Sequence, residues 1–101
     1  MLTMPAYLIA NVDVKDAEQY EVYRQLVPPT ITQFGGRYLA RGGRVEQLEG
    51  EWPVKRVVIV EFPSMEQARA WWSSDDYGPA RAIRQAVAVS SLTLVDGLPD
   101  P

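Results

Sequence analysis

The sequence contains neither cysteine nor histidine. Without cysteine there is no disulfide, no thiolate-bound iron–sulfur cluster and no thiol nucleophile, and such a composition fits a reducing cytoplasm. Without histidine the chain lacks the usual metal ligand, the Ser-His-Asp triad and the commonest general base. No acidic cluster with the spacing of a metal-binding loop replaces them. We therefore expect a cytoplasmic protein that holds no metal and no cofactor.

Positive charge and long apolar runs are also scarce. The sequence has ten basic and 13 acidic residues, and Lys15 and Lys55 are the only lysines. The net charge of -3 argues against binding to a phosphate backbone. No apolar run approaches the roughly 20 residues of a membrane span, and Met1 to Met4 do not begin a signal peptide. We expect neither nucleic acid nor membrane as a partner.

The 101 residues are enough for one domain, residues 1–101, and 47% of them are hydrophobic. A segment bracketed by two glycine pairs, residues 35–43, organises this domain. Glycine tolerates positive φ, so each pair marks the end of an element. The five residues between the pairs have strand character, and the even spacing of Arg37 and Arg41 predicts that both lie on one face.

The first half of the chain predicts a strand at residues 7–12 and then a long helix. Asp16 and Gln19 form a capping-box pattern at the start of the helix. An apolar stripe of helical spacing follows, made of Tyr20, Tyr23, Val27, Ile31 and Phe34. Pro28 and Pro29 predict a kink or break within it, because proline removes a helical hydrogen bond.

The second half begins with a polar, turn-rich arm at residues 42–53, with short strand character at residues 45–48. A β-branched run at residues 55–62 predicts the third strand. Ser64 and Gln67 repeat the capping-box pattern and begin a helix that breaks at residues 75–79 and then resumes. Residues 87–95 are predicted as the fourth strand and residues 97–101 as a tail.

The order βαββαβ predicts an α+β, ferredoxin-like fold, with a four-stranded antiparallel sheet and the helices on one side. Helices on one side leave the other sheet face uncovered. Yet Val57 and Ile59 point to one face of the third strand, while Val58, Val60 and Phe62 point to the other. An apolar uncovered face normally marks an interface, so we expect a homodimer through the helix-free sheet face.

From about Tyr7 to Gly97 the chain resembles the uncharacterised bacterial domain-of-unknown-function family 1330, within the dimeric α+β barrel superfamily. The resemblance rests on residues 35–43 together with Glu49-Gly50, Glu61-Phe62-Pro63-Ser64, Ala68, Trp71, Ser74, Tyr77 and Arg84. It implies a ferredoxin-like protomer and a dimer whose two sheets face each other. No reaction is assigned to the family. Its superfamily includes cofactor-free monooxygenases, muconolactone isomerases, haem-degrading enzymes, chlorite dismutases and effector-binding domains.

A pocket for a small molecule is expected between the sheet and the helices. Six residues could furnish it, namely Tyr23, Arg41, Glu61, Trp71, Tyr77 and Arg84. Each also has a structural interpretation, as a core aromatic, a member of an ion pair or a helix-end cation. In a ligand site, Arg41 or Arg84 would bind a carboxylate or enolate oxygen, and Tyr23 or Tyr77 would donate a hydrogen bond. Glu61 is the candidate base, provided that burial raises its pKa.

Two functions from different classes follow. The first is a small-molecule enzyme of the cofactor-free monooxygenase or isomerase kind, acting on a small aromatic or keto compound and stabilising an enolate-like anion. The alternative is a non-catalytic homodimeric module that binds a small acidic or aromatic metabolite. A purely structural dimer is the third hypothesis. A pocket base with a shifted pKa would favour the enzyme, and a fully packed interface between helices and sheet would favour the structural hypothesis.

Overall fold

A computed structural model describes residues 4–99 of the chain. Its elements in chain order are β1 (Ala6–Val14), α1 (Ala17–Gln33), β2 (Arg37–Arg41), β3 (Arg56–Phe62), α2 (Met65–Ser73), α3 (Gly78–Val87) and β4 (Ala88–Asp96). The strands form one sheet in the order β2-β3-β1-β4, and all neighbours are antiparallel. The α+β, ferredoxin-like prediction is confirmed. The ends of the predicted domain and tail, residues 1–3 and 100–101, lie outside the described range.

Both predicted helix starts have the expected side-chain cap. Asp16 Oδ1 accepts a hydrogen bond of 3.1 Å from the backbone N–H of Gln19, and Ser64 Oγ accepts one of 3.1 Å from that of Gln67. Each cap satisfies one of the backbone donors that a helix leaves free at its first turn. The predicted interruption between α2 and α3 is also present. There Ser74 Oγ accepts a hydrogen bond of 3.1 Å from the backbone N–H of Tyr77.

Helix α1 continues through Pro28 and Pro29, so of the kink or break predicted there the break is wrong. Proline fixes φ near the helical value, and its main penalty is the missing N–H. Pro28 would otherwise donate to the carbonyl of Arg24, four residues earlier. That carbonyl instead accepts a hydrogen bond of 2.7 Å from Arg41 Nη2. Val27 and Ile31 on either side are buried, and their packing holds the helix together across the proline pair.

The connection between β2 and β3 contains no strand, so the short strand expected at residues 45–48 is absent from this part of the described chain. The arm is exposed over residues 42–53. Its last residues are held by Asn11 on β1, which donates to the carbonyl of Pro53 at 3.1 Å and accepts from the backbone N–H of Lys55 at 3.0 Å. The arm therefore depends on side-chain hydrogen bonds and not on a sheet ladder.

A register shift in β2 places its two arginines on opposite faces of the sheet. Arg37 pairs with Glu61, whereas Arg41 pairs with Val58 after an irregularity between Tyr38 and Ala40. Partners in a strand pair share a face, and Glu61 and Val58 lie three residues apart, so their side chains point in opposite directions. The prediction that both arginines share a face is therefore wrong. Arg41 points toward the helices and Arg37 away from them.

The core lies between the sheet and the three helices. Alternate residues of β1 are buried against the helices, namely Ala6, Leu8, Ala10 and Val12. Tyr7 and Ile9 point to the other side of the sheet and are half-buried. The helices thus leave one face of the sheet partly open, as the sequence pattern predicts. None of the helices in the described residues has the length and apolar character needed to cross a membrane.

Candidate functional site

A small cavity lies between α1, α3 and the helix-facing side of the sheet, and four arginines line it: Arg24, Arg41, Arg56 and Arg84. We call it the arginine cavity. Tyr20, Tyr23 and Tyr38 line it as well, and the rest of its wall is apolar. The volume open to the centre of a water molecule is about 30 Å³. This is room for one or two waters or for a small charged head group. No carboxylate is among its lining residues in the described chain.

Arg84 is the most buried of the four, with only 4% of its surface exposed. Its Nε donates a hydrogen bond of 3.4 Å to the Tyr77 hydroxyl, and its guanidinium carbon lies 5.8 Å from the centre of the Trp72 ring. The ion pairs within residues 4–99 do not include Arg84. Arginine is rarely buried to this degree without an anionic partner.

Tyr23 and Tyr77 form a hydroxyl pair next to Arg84. Their oxygens lie 3.2 Å apart, and both side chains are buried. Burial raises the pKa of the Tyr23 hydroxyl well above its ordinary value, and the neighbouring Tyr77 raises it further. Tyr23 therefore keeps its proton throughout the physiological range and can donate a hydrogen bond, either to Tyr77 or to another acceptor. Burial also raises the pKa of Tyr38, which lines the same cavity.

Arg41 bridges the gap between the edge strand β2 and helix α1. Its guanidinium carbon lies 4.7 Å from the centre of the Tyr38 ring, and its Nη2 donates to the Arg24 carbonyl. The first contact stays within β2 and the second reaches α1, while Arg41 itself is exposed. The side chain therefore closes the outer side of the arginine cavity while keeping contact with solvent.

Arg24 and Arg56 were not among the residues predicted from the sequence. The Nε atom of each is buried and has no hydrogen-bond partner within the described residues. A sequence signal for both was available. Arg24 lies four residues after Tyr20 on the stripe of α1, and Arg56 alternates with Val58 on the helix-facing side of β3. Arg24 does form an ion pair of 2.8 Å through Nη1 with Glu21, so it is the Nε donors of Arg24 and Arg56 that lack an acceptor among residues 4–99.

Trp71 and Tyr77 stack in the core, with ring centres 4.0 Å apart. The indole Nε1 of Trp71 donates a hydrogen bond of 3.0 Å to Thr30 Oγ1, which in turn donates to the carbonyl of Val27 at 2.6 Å. Trp71 does not line the arginine cavity. Its contacts join α2 to α1, and they position Tyr77 below Arg84.

Glu61 lies on the helix-free face of the sheet, away from the arginine cavity. Its carboxylate is 3.4 Å from Arg37 Nη2 on the neighbouring strand. The sequence had suggested Glu61 as the base of the pocket. From the helix-free face its carboxylate does not reach the arginine cavity. Of the six predicted residues, the structure brings Tyr23, Arg41, Tyr77 and Arg84 together. Within residues 4–99, no cluster of three or more carboxylate, histidine or cysteine side chains could hold a metal ion.

Comparison with protein families gives one match, which covers nearly the whole chain. The model for the domain of unknown function DUF1330 matches residues 5–98. The chain belongs to the DUF1330 family. Its membership agrees with the resemblance found in the glycine-bracketed segment and the second helical region. No curated protein sequence matches this DUF1330 chain significantly.

Solved structures share the fold of this DUF1330 chain. RPA0582, a protein of unknown function from Rhodopseudomonas palustris, superposes with a TM-score of 0.76 at 24% identity, over 96% of this chain and 84% of its own. SnoaB, a cofactor-independent oxygenase from Streptomyces nogalater, superposes with a TM-score of 0.60 at 11% identity, over 92% of this chain and 91% of its own. A conserved protein from Bacteroides thetaiotaomicron, described as a possible oxidoreductase, superposes with a TM-score of 0.53 at 14% identity, over 93% of this chain and 97% of its own. At these identities the likeness concerns the fold alone.

Proposed function

We propose that the protein is a small-molecule enzyme of the cofactor-independent oxygenase or isomerase kind, which binds a small aromatic or keto compound as an organic anion at the arginine cavity. The observation that carries the proposal is the convergence of four arginines with no lining carboxylate in the described chain. A protein of net charge -3 has concentrated positive charge at this one place. The fold shared with a cofactor-independent oxygenase is consistent with the chemistry.

An anion would supply what the arginines lack. Removing a charged side chain from water costs several kcal/mol unless a partner offsets it. Arg84 is nearly fully buried without a carboxylate partner, and Arg24 and Arg56 each have an unpaired Nε donor. Guanidinium groups bind carboxylate and enolate oxygens in a planar, two-pronged geometry. A carboxylate or enolate in the cavity is therefore the ligand that matches these unpaired donors.

The same groups would stabilise negative charge that develops during a reaction. Preorganised donors in a site with little water lower the energy of an enolate more than donors in bulk water do. Tyr23, held protonated by burial and bonded to Tyr77, would donate to the same oxygen. No carboxylate or histidine within the described residues lines the cavity as a base. The substrate must therefore be acidic enough to ionise readily, as activated aromatic and keto compounds are.

A second function is non-catalytic binding of a small acidic or aromatic metabolite. The missing base favours this alternative, since binding an anion requires only the arginines and tyrosines. The two functions share the site and differ in whether the bound compound is changed.

A thermal-shift screen with aromatic acids, keto acids, quinols and lactones tests the proposal. A ligand that binds only the folded state raises the melting temperature by mass action. Arg84→Gln should weaken binding about tenfold or more, because it removes a charged donor. Arg44→Gln, at an exposed residue of the arm, is the matched control and should leave binding unchanged. Binding that survives both Arg84→Gln and Arg41→Gln would refute the site.

Compounds that bind are then tested for oxygen uptake and for isomerisation. Turnover that Arg84→Gln abolishes and Arg44→Gln retains supports the enzyme. Binding with no turnover for any compound, including those that ionise readily, supports the binding module instead.

The protein would act as a homodimer through the helix-free sheet face. That face carries Tyr7, Ile9, Val57 and Ile59 in its middle and Val95 at its edge, where 46% of Val95 is exposed. Apolar side chains concentrated on one sheet face normally mark an interface. Glu61 and Arg37 lie on the same face, so their ion pair would sit within the dimer and not in the pocket.

Light scattering with size-exclusion chromatography measures the oligomeric state. Ile59→Lys should yield monomers, because it would bury an unpaired charge in the interface. Val22→Lys, at an exposed residue of α1, should remain dimeric. A wild-type monomer, or a dimer that tolerates Ile59→Lys, would exclude this interface.

A further inference from the structure

A groove runs beside the arginine cavity, between α2, α3 and the edge strand β4. Its apolar part has a volume of about 250 Å³ and is lined by Leu8, Ala68, Trp71, Trp72, Leu92 and Leu94. Its polar part, about 320 Å³, shares Trp72 and Leu92 and adds Arg84, Gln85 and Ser90. We call the two parts together the β4 groove. Both parts are much larger than the arginine cavity.

The groove exists because the helices cover β4 less completely than β1. The helix-facing residues of β1 are buried, whereas those of β4, including Leu92 and Leu94, are only half-buried. Trp72 at the groove is also partly exposed, at 37%. Apolar surface is therefore left open to water beside a charged cavity. Such a surface gains free energy when an apolar group covers it.

Arg84 and Leu92 line both the arginine cavity and the β4 groove. The buried guanidinium of Arg84 thus lies where the two spaces adjoin. Ser90 in the polar part has a buried hydroxyl with no partner among residues 4–99. A ligand at this junction meets a cation and a hydroxyl at one end and only apolar and aromatic side chains at the other.

We propose that the β4 groove binds the apolar body of an amphipathic monocarboxylic acid whose carboxylate is held by Arg84. This inference rests on the proposed binding of an organic anion and specifies the class of compound. The arginine cavity holds only a head group, so the remainder of the molecule extends along Leu92 and Leu94 toward Trp72. Flat aromatic and short alkyl bodies fit this description, and polar or doubly charged bodies do not.

The test is the dependence of affinity on chain length. Butanoate, hexanoate and octanoate, with the phenyl-substituted acids of the same lengths, are titrated calorimetrically into the full chain. Each methylene buried in the groove should tighten binding about fourfold. The corresponding alcohols lack the carboxylate and should bind at least about tenfold more weakly.

Two variants locate the apolar body. Leu94→Gln and Leu94→Ala should flatten the gain in affinity with chain length while leaving butanoate binding unchanged, because Leu94 lines only the apolar part of the groove. Retained butanoate binding also shows that each variant is folded. Leu26→Gln makes the same change at an exposed leucine of α1, outside both spaces, and should leave the whole series unaltered.

The outcomes separate the two proposals. If short and long acids bind equally, and Arg84→Gln abolishes the binding of both, the anion site stands and the groove is excluded. If the chain-length gain persists in both Leu94→Gln and Leu94→Ala, the apolar body lies elsewhere and the groove is likewise excluded. If no acid of this series binds, the groove proposal fails, and the anion site is then decided by the thermal-shift screen alone. If acids bind and Arg84→Gln has no effect on their affinity, both proposals fail.

Discussion

Arg41 on β2 donates a hydrogen bond of 2.7 Å to the backbone carbonyl of Arg24 on α1, the carbonyl that Pro28 leaves without its helical donor. The proline that the sequence marks as a helix breaker thus creates an acceptor on the inner surface of an unbroken helix. The register shift of β2 turns Arg41 toward that acceptor. Together they hold Arg41 across the outer side of the arginine cavity.

Restoring the missing N–H should uncouple Arg41 from helix α1. In the natural chain, Arg41→Ala should lower the free energy of unfolding by about 1 kcal/mol, since the Arg24 carbonyl loses its donor. In a Pro28→Ala background the helix supplies that donor, and Arg41→Ala should have a smaller effect. Pro29→Ala restores a donor to a different carbonyl, that of Gln25, and is the control. Urea unfolding of the double-mutant cycle measures the coupling, and equal effects in all three backgrounds would refute the link.

The indole of Trp71 and the hydroxyl of Thr30 should be energetically coupled. Thr30→Val keeps the shape but leaves the buried indole N–H unpaired, so we expect a loss of about 1–3 kcal/mol in the free energy of unfolding. In a Trp71→Phe background the N–H is absent, and Thr30→Val should have a smaller effect. Thr32→Val, at an exposed position of the same helix, should stay within about 0.5 kcal/mol of the natural chain. Additive losses in urea denaturation would contradict the coupling.

Replacing Gly42 should be unfavourable for two separable reasons. Its φ is +70°, and an added Cβ would collide with the Arg56 guanidinium. Gly50 has a similar φ of +74° but open space around it. Both alanine variants should lose about 1–2 kcal/mol of stability from backbone strain. Gly42→Ala should lose more and also weaken anion binding, because Arg56 lines the cavity. Equal stability and binding in the two variants would show that the contact with Arg56 is unimportant.

Tyr23 should make stability fall at alkaline pH. Burial raises its pKa in the folded state above the ordinary value of about 10 that applies to the unfolded chain. Above about pH 10 the unfolded state therefore binds fewer protons, and the free energy of unfolding falls by about 1.4 kcal/mol per pH unit for this group. Below about pH 10 the contribution is fully present.

Tyr23→Phe should remove that part of the slope. The free energy of unfolding of the two proteins is measured in urea between about pH 9 and pH 11. The difference between them near pH 7 gives the pH-independent loss of stability from the missing hydroxyl pair. Profiles that stay parallel throughout would mean that Tyr23 ionises as easily in the folded protein as in the unfolded chain.

The sequence by itself determined the elements of this protein and their order, because those signals are local. Asp16 and Ser64 cap helices through bonds spanning three residues, and strand alternation specifies which side chains share a face until a bulge intervenes. Helix α1 is the exception among the helices. The low helix propensity of Pro28 predicted an interruption, but the burial of Val27 and Ile31 against distant elements stabilises the helix there.

Only the tertiary structure decided the candidate site, because its four arginines come from four separate elements. Arg24 and Arg84 are 60 positions apart along the chain, and no local pattern links them to Arg41 or Arg56. The β2 register shift turned Arg41 inward, and sheet pairing put Glu61 on the far side beside Arg37. Convergence of charge depends on which faces pack together, and that is a property of the assembled core and not of any one segment.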